Sequence, residues 1–433
     1  MFRRFCACDW GAMIDRMILR NDPERVRKAV AARKCVCLID EWLSMDERHR
    51  SASSEADGLR ALRNSLSLRV SALRKAGQPA DEAMEESRAT GEKIAVLERD
   101  TKTLETRMTE IQLSIPNIPD PDVPVGGEDA NQEIRRWGAP PVFDFAPRAH
   151  WELMKGVYEP EAAGEIAGSN FILFRGWAAR LQRKLISWML DNHHSVGMEE
   201  VWPPFLASRE SVTATGQLPK LEDDMYRLER DDLFLIPTGE VPITNLYRGA
   251  MLSGSALPVK LCGYTPCFRR EAGSYGKETR GLNRVHQFEK VEMVWLTHPE
   301  ESRNAHEAML AHAAGLLEHL GLHYRVLLLA SGDLGFSAAR CYDLEIWSPG
   351  QQKWLEVSSV SNFHDFQARR GNIRFRPDGG GKPMFVHTLN GSGLALPRLV
   401  SALVETFQRA DGSVDVDGLF SRLVIPEQCG SAE

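Results

Sequence analysis

The sequence predicts an α+β chain in which a long antiparallel α-helical coiled-coil hairpin precedes an antiparallel-sheet body. Three observations predict it. Apolar or small residues recur at alternating steps of four and three between residues 38 and 111, which is the seam of a coiled coil. A proline-rich run, Ile115-Pro116-Asn117-Ile118-Pro119-Asp120-Pro121, follows it. Beyond that, Thr265 to Trp295 reads as two alternating segments around a glycine-rich loop, the pattern of a β-hairpin.

With 433 residues, 43% hydrophobic and 26% charged, the chain is long enough for two or three domains around a large core. Its net charge of -7 argues against a generally basic nucleic-acid binder, so any positive charge meant for RNA has to be local. No apolar run approaches the ~20 residues that cross a bilayer, and Arg3 and Arg4 lead into no secretory signal. Among the cysteines, Cys6/Cys8 and Cys35/Cys37 have one-residue spacers where zinc sites usually have two. The thiols read as reduced, in a cytoplasmic protein.

In chain order, residues 1–12 are an amino-terminal extension or a start-site choice, and 13–115 form the helical arm. The first helix's seam passes through Leu38, Trp42, Met45, His49, Ala52, Ala56, Leu59, Leu62, Leu66, Val70 and Leu73. Gly77-Gln78-Pro79 breaks it, and Ile94, Leu97, Thr101, Leu104, Met108 and Ile111 carry the return helix. Each helix reaches on the order of 50 Å. Arg60, Arg63, Arg69, Arg74 and Lys75 gather toward the tip. They fit phosphate neutralisation or, with Glu82, Glu85 and Glu86 across the turn, a solvated salt-bridged face. Prolines exclude a helix from the 116–124 linker, and 125–433 is the body.

Within the body, an amphipathic helix from roughly Ala178 to His194 leads into a strand near Gly197 to Val201 and then Pro203-Pro204. Thr238 and Glu240 flank Gly239 after the apolar segment Leu233 to Ile236, so both can face one pocket. A hydroxyl and a carboxylate there suit an ammonium and a small hydroxyl-bearing side chain; the plainer reading is a turn. In the hairpin, Arg269 and Glu271 sit two apart and share a face, while Arg284, Phe288, Lys290 and Glu292 share a parity opposite to Val291, Met293 and Trp295. Charges on a half-buried sheet face are costly without a polar ligand. Guanidinium, carboxylate and ring together suit a nucleotide's phosphate, amine and base, although a solvated hairpin has the same pattern. Glu356 and Ser358 share a strand face, with Ser359 at a bend; hard oxygens of this kind suit, with phosphates, an open magnesium site, and the plainer reading is polar residues on an edge strand. Arg398 stands near the start of a helix marked by Leu396, Leu399, Leu403 and Phe407, where by itself it reads as a surface arginine.

Phe268-Arg269-Arg270-Glu271 resembles the FRxE of seryl-tRNA synthetases, a class II aminoacyl-tRNA synthetase family, and Thr265 to Val294 resembles that family's motif 2. Other runs are similar as well: PNIPD at 116–120, TGQLPK at 215–220, Pro237-Thr238-Gly239-Glu240 against TAE with glycine for alanine, and Glu356 to Phe363 against EISSCSNF with Val360 for cysteine. His387 to Gly393 with its helix resembles motif 3, and the similarity runs from about Met13 to Gln408.

The resemblance implies a class II catalytic domain, homodimerisation through the helix and strand of motif 1, and an arm that binds tRNA through Arg60, Arg63, Arg69, Arg74 and Lys75. The implied activity is ATP-dependent attachment of L-serine to tRNA(Ser), and to tRNA(Sec) where present, through seryl-adenylate. ATP contacts are implied for Arg269, Arg270, Glu271, Val285, Phe288, Glu356, Val357, Ser358, Ser359 and Arg398, with Arg269 and Arg398 catalytic. Serine contacts are implied for Thr238, Gly239, Glu240, Glu292, Asn390 and Ser392, and Mg2+ ligation for Glu356 and Ser359. Two other functions fit the same body: a ligase that charges a carrier protein, whose family relatives lack the long arm, and a non-catalytic RNA-binding paralogue, which has no need of the charged motif residues retained here.

Overall fold

The computed structural model describes residues 14–272 and 280–424. Arg3, Arg4, Cys6, Cys8, Met13, Cys429 and the hairpin-tip residues 273–279 lie outside the described residues. The chain divides into two compact units, one ending at Ile115 and the other beginning at Pro116.

The first unit holds α1 (Arg16–Asn21), α2 (Pro23–Ala32), α3 (Ile39–Lys75) and α4 (Asp81–Ser114). The seam pattern does not reveal α1 and α2, yet their signals are in the sequence. Asp15 and Asp22 cap them by accepting the amides of Met17 and Arg25, and Pro23 occupies the first turn of α2. α3 and α4, 37 and 34 residues long, pack antiparallel along the expected seam, burying Trp42, Ala56 and Leu66 against Thr90, Ile94, Met108 and Ile111. Arg107 Nε to Glu41 at 3.0 Å and Arg60 Nη2 to Glu98 at 2.7 Å bridge the two helices. Two expected seam positions are exposed, Leu38 at 47% and Leu62 at 42%. Leu38 precedes the helix and Ile39 takes the buried place. Leu62 follows two successive three-residue steps, 56 to 59 to 62, which carry it around the helix and off the seam.

The second unit is built on an eight-stranded sheet. Its strands are β1 (Gln132–Trp137), β2 (Glu199–Glu200), β3 (Val259–Phe268), β4 (Gln287–Thr297), β5 (Tyr324–Leu328), β6 (Arg340–Ser348), β7 (Lys353–His364) and β8 (His387–Ala395). They run in the order β1-β5-β6-β7-β8-β4-β3-β2, antiparallel except for β2 beside β3. One face is apolar: Val291, Met293, Trp295, Leu344 and Leu389 join a core with Leu181 and Leu185 of α5 (Gly176–Ser195), Met309 and Leu317 of α6 (Ser302–Leu320), and Leu399 and Leu403 of α7 (Leu396–Thr406). This is the period-two alternation of a sheet with helices on one side. The other parity of the central strands carries Lys290, Glu292, Asn390 and Ser392.

Of the irregularities in the sheet's register, two fall beside this polar face. In the β6–β7 ladder Leu344 faces Ser358 and Glu345 faces Glu356, which leaves Val357 unpaired. In β8, Ser392 faces Glu292 and Leu394 faces Val291, which leaves Gly393 over. The proline run after Ile115 is fastened to the second unit. Asn117 donates its backbone N–H to Phe336 O at 3.0 Å and its side-chain amide to Ser337 O at 2.9 Å and Phe363 O at 2.8 Å.

Candidate active site

A cavity of about 550 Å³ opens on the polar side of β3, β4, β7 and β8. Twelve of the expected residues border it: Thr238, Glu240, Arg269, Glu271, Val285, Phe288, Glu356, Val357, Ser359, Asn390, Ser392 and Arg398. Gly239, Arg270, Ser358 and Glu292 do not.

Arg269 lies with its guanidinium carbon 5.2 Å from the Phe288 ring centroid and donates from Nε to Pro237 O at 3.2 Å. Strand alternation is not what brings Arg269 and Glu271 to the cavity, because β3 ends at Phe268. Beyond it the Arg269 N–H bonds to His286 O, the Arg270 N–H bonds to Asp224 O, and Glu271 turns at φ 51 to meet Arg284 Nη1 at 2.9 Å. The same turn sends Arg270 away, its guanidinium carbon 5.7 Å from the Tyr226 ring centroid. Arg398, in the first turn of α7, donates from Nη1 to Glu356 O at 2.9 Å and from Nε to Asn283 O at 3.3 Å.

The floor is a buried polar network. Thr238 donates to Glu292 Oε2 at 2.8 Å, Lys290 Nζ donates to Thr238 Oγ1 at 2.9 Å and pairs with Glu292, and Asn390 donates to Glu292 Oε1 at 3.2 Å. Glu292 is therefore a carboxylate under the floor, closed over by its own partners, rather than one on the cavity surface. Glu240 accepts from Gln367 and, at 3.4 Å, from Gln217; burial first, then the nearby Glu292, pushes its carboxyl up to about 7. Gly239 is buried at the start of the helix Glu240–Asn245, and a Cβ there would meet Glu292 Cβ and Thr265 Oγ1 at 3.1 Å.

Sequence reasoning missed Gln217, Gln367 and the role of Lys290 as counter-charge. Gln217 lies inside the TGQLPK run. Gln367 has no local signal, since it reaches Glu240 across more than a hundred residues and is itself held by Thr388 at 2.7 Å.

The bulge at Val357 decides the far wall. It turns Ser358 toward Ser392 O, to which its hydroxyl donates at 2.6 Å, and leaves Glu356 and Ser359 together on the cavity despite their odd spacing. The expected shared face of Glu356 and Ser358 is thus lost to one unpaired residue. Behind Ser359, burial and then Glu356 raise Asp343 well above the usual carboxylate range. Among the described residues no group of three or more His, Cys, Asp or Glu is arranged to hold a metal by itself. Two hard oxygens on a cavity wall fit an ion that takes its remaining ligands from phosphate and water, as magnesium does.

In the first unit Arg63, Arg69, Arg74 and Lys75 are exposed, whereas Arg60 pairs with Asp57 and Glu98. Cys35, Cys37, Cys262, Cys267 and Cys341 are free thiols. No helix among the described residues is long and apolar enough to cross a membrane.

The family model of the seryl-tRNA synthetase N-terminal domain matches residues 13–119, and that of the tRNA synthetase class II core domain (G, H, P, S and T) matches residues 222–407. The serine--tRNA ligase of Nitratidesulfovibrio vulgaris strain Hildenborough is 50% identical over 408 residues, 93% of this chain and 96% of the relative. The crystal structure of seryl-tRNA synthetase from Pyrococcus horikoshii complexed with ATP superposes with a TM-score of 0.89 at 35% identity, covering 95% of this chain and 98% of that one. The cytoplasmic serine-tRNA ligase from Naegleria fowleri in complex with AMP gives 0.83 at 27% identity over 95% and 97%. Half of the aligned positions are shared along nearly the whole of both chains, on one common backbone: the chain belongs to the seryl-tRNA synthetase family.

Proposed function

We propose that this protein is a serine--tRNA ligase: it activates L-serine with ATP and transfers the acyl group to tRNA(Ser), and to tRNA(Sec) where that is present. One observation carries the reading. A floor of Glu240, Thr238 and Asn390, with Glu292 beneath it, lies in the same cavity as Arg269, Phe288 and Arg398, so an amino acid and a nucleotide can meet there.

Serine's ammonium is set against Glu240, with Glu292 adding negative charge from beneath through Thr238 and Asn390, and its hydroxyl meets Thr238, Asn390 and Ser392. Gly239 gives the backbone its close approach. Phe288 and Arg398 clamp adenine, Glu271 reads its amine, and Val285 and Val357 complete the surroundings of ATP, while Ser358 and Arg270 stand outside the cavity. Arg269 bridges serine's carboxylate and the α-phosphate, where charge accumulates as the carboxylate attacks in line, the bond to the β-phosphate breaks and pyrophosphate leaves, giving seryl-adenylate; orientation and fixed charge supply the acceleration. Glu356 and Ser359 would hold a magnesium ion, which would supply neutralisation of phosphate charge. The 3′-hydroxyl of the terminal adenosine of tRNA then attacks the acyl carbon, the acyl–phosphate bond breaks, and AMP leaves as the hydroxyl proton is lost.

We further infer a cytoplasmic homodimer formed through α5 and the following strand, with 13–115 as the tRNA arm, 116–124 as linker and 125–433 as the catalytic part. The long arm favours tRNA over a carrier protein as acceptor, and the floor network favours an enzyme over a catalytically silent RNA binder. Charging of total tRNA with each standard amino acid tests the proposal: serine alone is expected to be attached. Acylation of a carrier protein and not of tRNA would replace it, and the lack of any serine-dependent pyrophosphate exchange would overturn it.

A further inference from the structure

Glu405 is a buried carboxylate that the proposed chemistry does not use. It stands two turns after Arg398 on α7, hence on the same face of the helix, and is fully buried. Its Oε1 accepts from the backbone N–H and Nδ1 of His150, both at 2.9 Å, and from Gln351 Nε2 at 3.1 Å. Its Oε2 accepts from the Gly350 N–H at 3.0 Å and from the Ser348 hydroxyl. Burial raises this carboxyl, but the bonds from His150 and Ser348 outweigh burial and hold it below the usual carboxylate range.

From that anchor two short chains of hydrogen bonds run to adjacent residues on the return limb of the hairpin. Along one, His150 Nε2 accepts the Leu282 N–H at 3.0 Å. A backbone amide only donates, so Nε2 is the bare nitrogen and the ring proton sits on Nδ1, facing Glu405. Along the other, Gln351 Oε1 accepts from Asn283 Nδ2 at 2.9 Å, and the Asn283 carbonyl accepts from Arg398 Nε at 3.3 Å. Gly281 makes the fit possible: its φ is +71, and a Cβ there would lie 2.2 Å from His150 Nε2. Leu282, Asn283 and Arg398 border the cavity, whereas His150, Gln351 and Glu405 stand behind it.

We propose that His150 and Glu405, with Gln351, are positioning residues that hold the limb 281–285 and Arg398 in register, so that the adenine subsite is preformed before ATP arrives. The inference rests on reading the cavity as an ATP site.

The test compares the full-length protein with His150→Phe, which keeps a ring and removes both bonds, and with His150→Gln, whose carboxamide oxygen falls near the place of Nε2. Amide hydrogen exchange over 281–286 is measured without ligand, and KM for ATP and for serine by serine-dependent pyrophosphate exchange. His150→Phe is expected to speed amide exchange and raise KM for ATP roughly tenfold, the size of one lost buried hydrogen bond. KM for serine stays within about twofold, and His150→Gln recovers most of the loss. Unchanged amide exchange and KM for ATP in His150→Phe overturn the proposal; so does an equal loss for both substrates with amide exchange unaltered, which marks a general structural defect. If His150→Phe does not fold, Gln351→Ala takes its place, with a higher KM for ATP alone expected and an unchanged one overturning. A native protein without serine-dependent turnover defeats the functional reading instead, while the amide-exchange comparison, needing no turnover, still decides whether His150 holds the limb.

Discussion

Arg269 is placed by three unlike neighbours, the Phe288 ring, the Pro237 carbonyl and the end of β3, and none of them balances its charge with a carboxylate. A guanidinium so held is ready for an anion at no reorganisation cost. Arg269→Ala should lower serine-dependent pyrophosphate exchange by roughly 10²-fold or more, the loss typical of a removed transition-state donor, with the thermal unfolding midpoint unchanged. Retained exchange would refute the assigned role.

Glu240 gives a pH signature. Its folded value of about 7 lies above the ordinary 4.5, so its contribution to stability is full below about 4.5 and is lost as pH rises through about 7. Glu240→Gln should therefore gain stability relative to the parent between pH 5 and pH 8, by at most on the order of 3 kcal/mol, measured by urea unfolding. Binding moves the other way. The ionised form attracts an ammonium, so kcat/KM for serine should rise through pH 7 in the parent and lose that rise in Glu240→Gln.

At the scale of elements, the two bulges and α7 set the site more than any single side chain does. Gly393 is the unpaired residue that turns β8, and a Cβ there would lie 2.1 Å from His193 Nε2. His193 is itself buried and fixed by His312 at 2.7 Å, so it cannot yield easily. Gly393→Ala should cost about 1–3 kcal/mol in denaturant unfolding through overpacking, and should raise KM for serine by displacing Ser392. An unchanged midpoint would show that the ring moves aside.

The helical arm is the separable element. Its base is tied by Arg20 to Asp46 at 2.6 Å and by Arg107 to Glu41 at 3.0 Å, well away from the tip turn at Gly77. Replacing 61–97 with a short turn should therefore keep the base, leave pyrophosphate exchange near the parent value, and reduce tRNA charging by roughly 10²-fold as phosphate contacts are lost. Equal loss in both assays would make the arm a support for catalysis instead.

Over the whole molecule, a net charge of -7 coexists with exposed Arg63, Arg69, Arg74 and Lys75 on one element, the cations proposed to meet tRNA phosphate. Binding through these cations is expected to weaken with salt, by nearly one decade in affinity per decade of salt for each phosphate neutralised. KM for tRNA should thus climb with potassium chloride while KM for serine, set by a buried floor, changes little. A salt response shared by both substrates would count against the arm as the main contact.

The sequence alone determined the two-helix arm, the proline run, the hairpin and the family, because these depend on local periodicity, on the stereochemistry of proline and glycine, and on short runs of residues that stay contiguous. Trp42, Ala56, Leu66, Ile94, Met108 and Ile111 are buried along the seam that their spacing implies, and Arg269, Phe288, Glu356 and Arg398 border one cavity. Tertiary structure alone decided which neighbour of each motif residue faces that cavity. Ser359 replaces Ser358 because Val357 is squeezed out of a ladder whose register depends on a strand elsewhere in the chain, and Glu292 lies under the floor because Thr238, Lys290 and Asn390 close over it. A single unpaired residue reverses the face of everything beyond it, and a buried carboxylate is placed by donors from distant segments; neither is written in the local pattern.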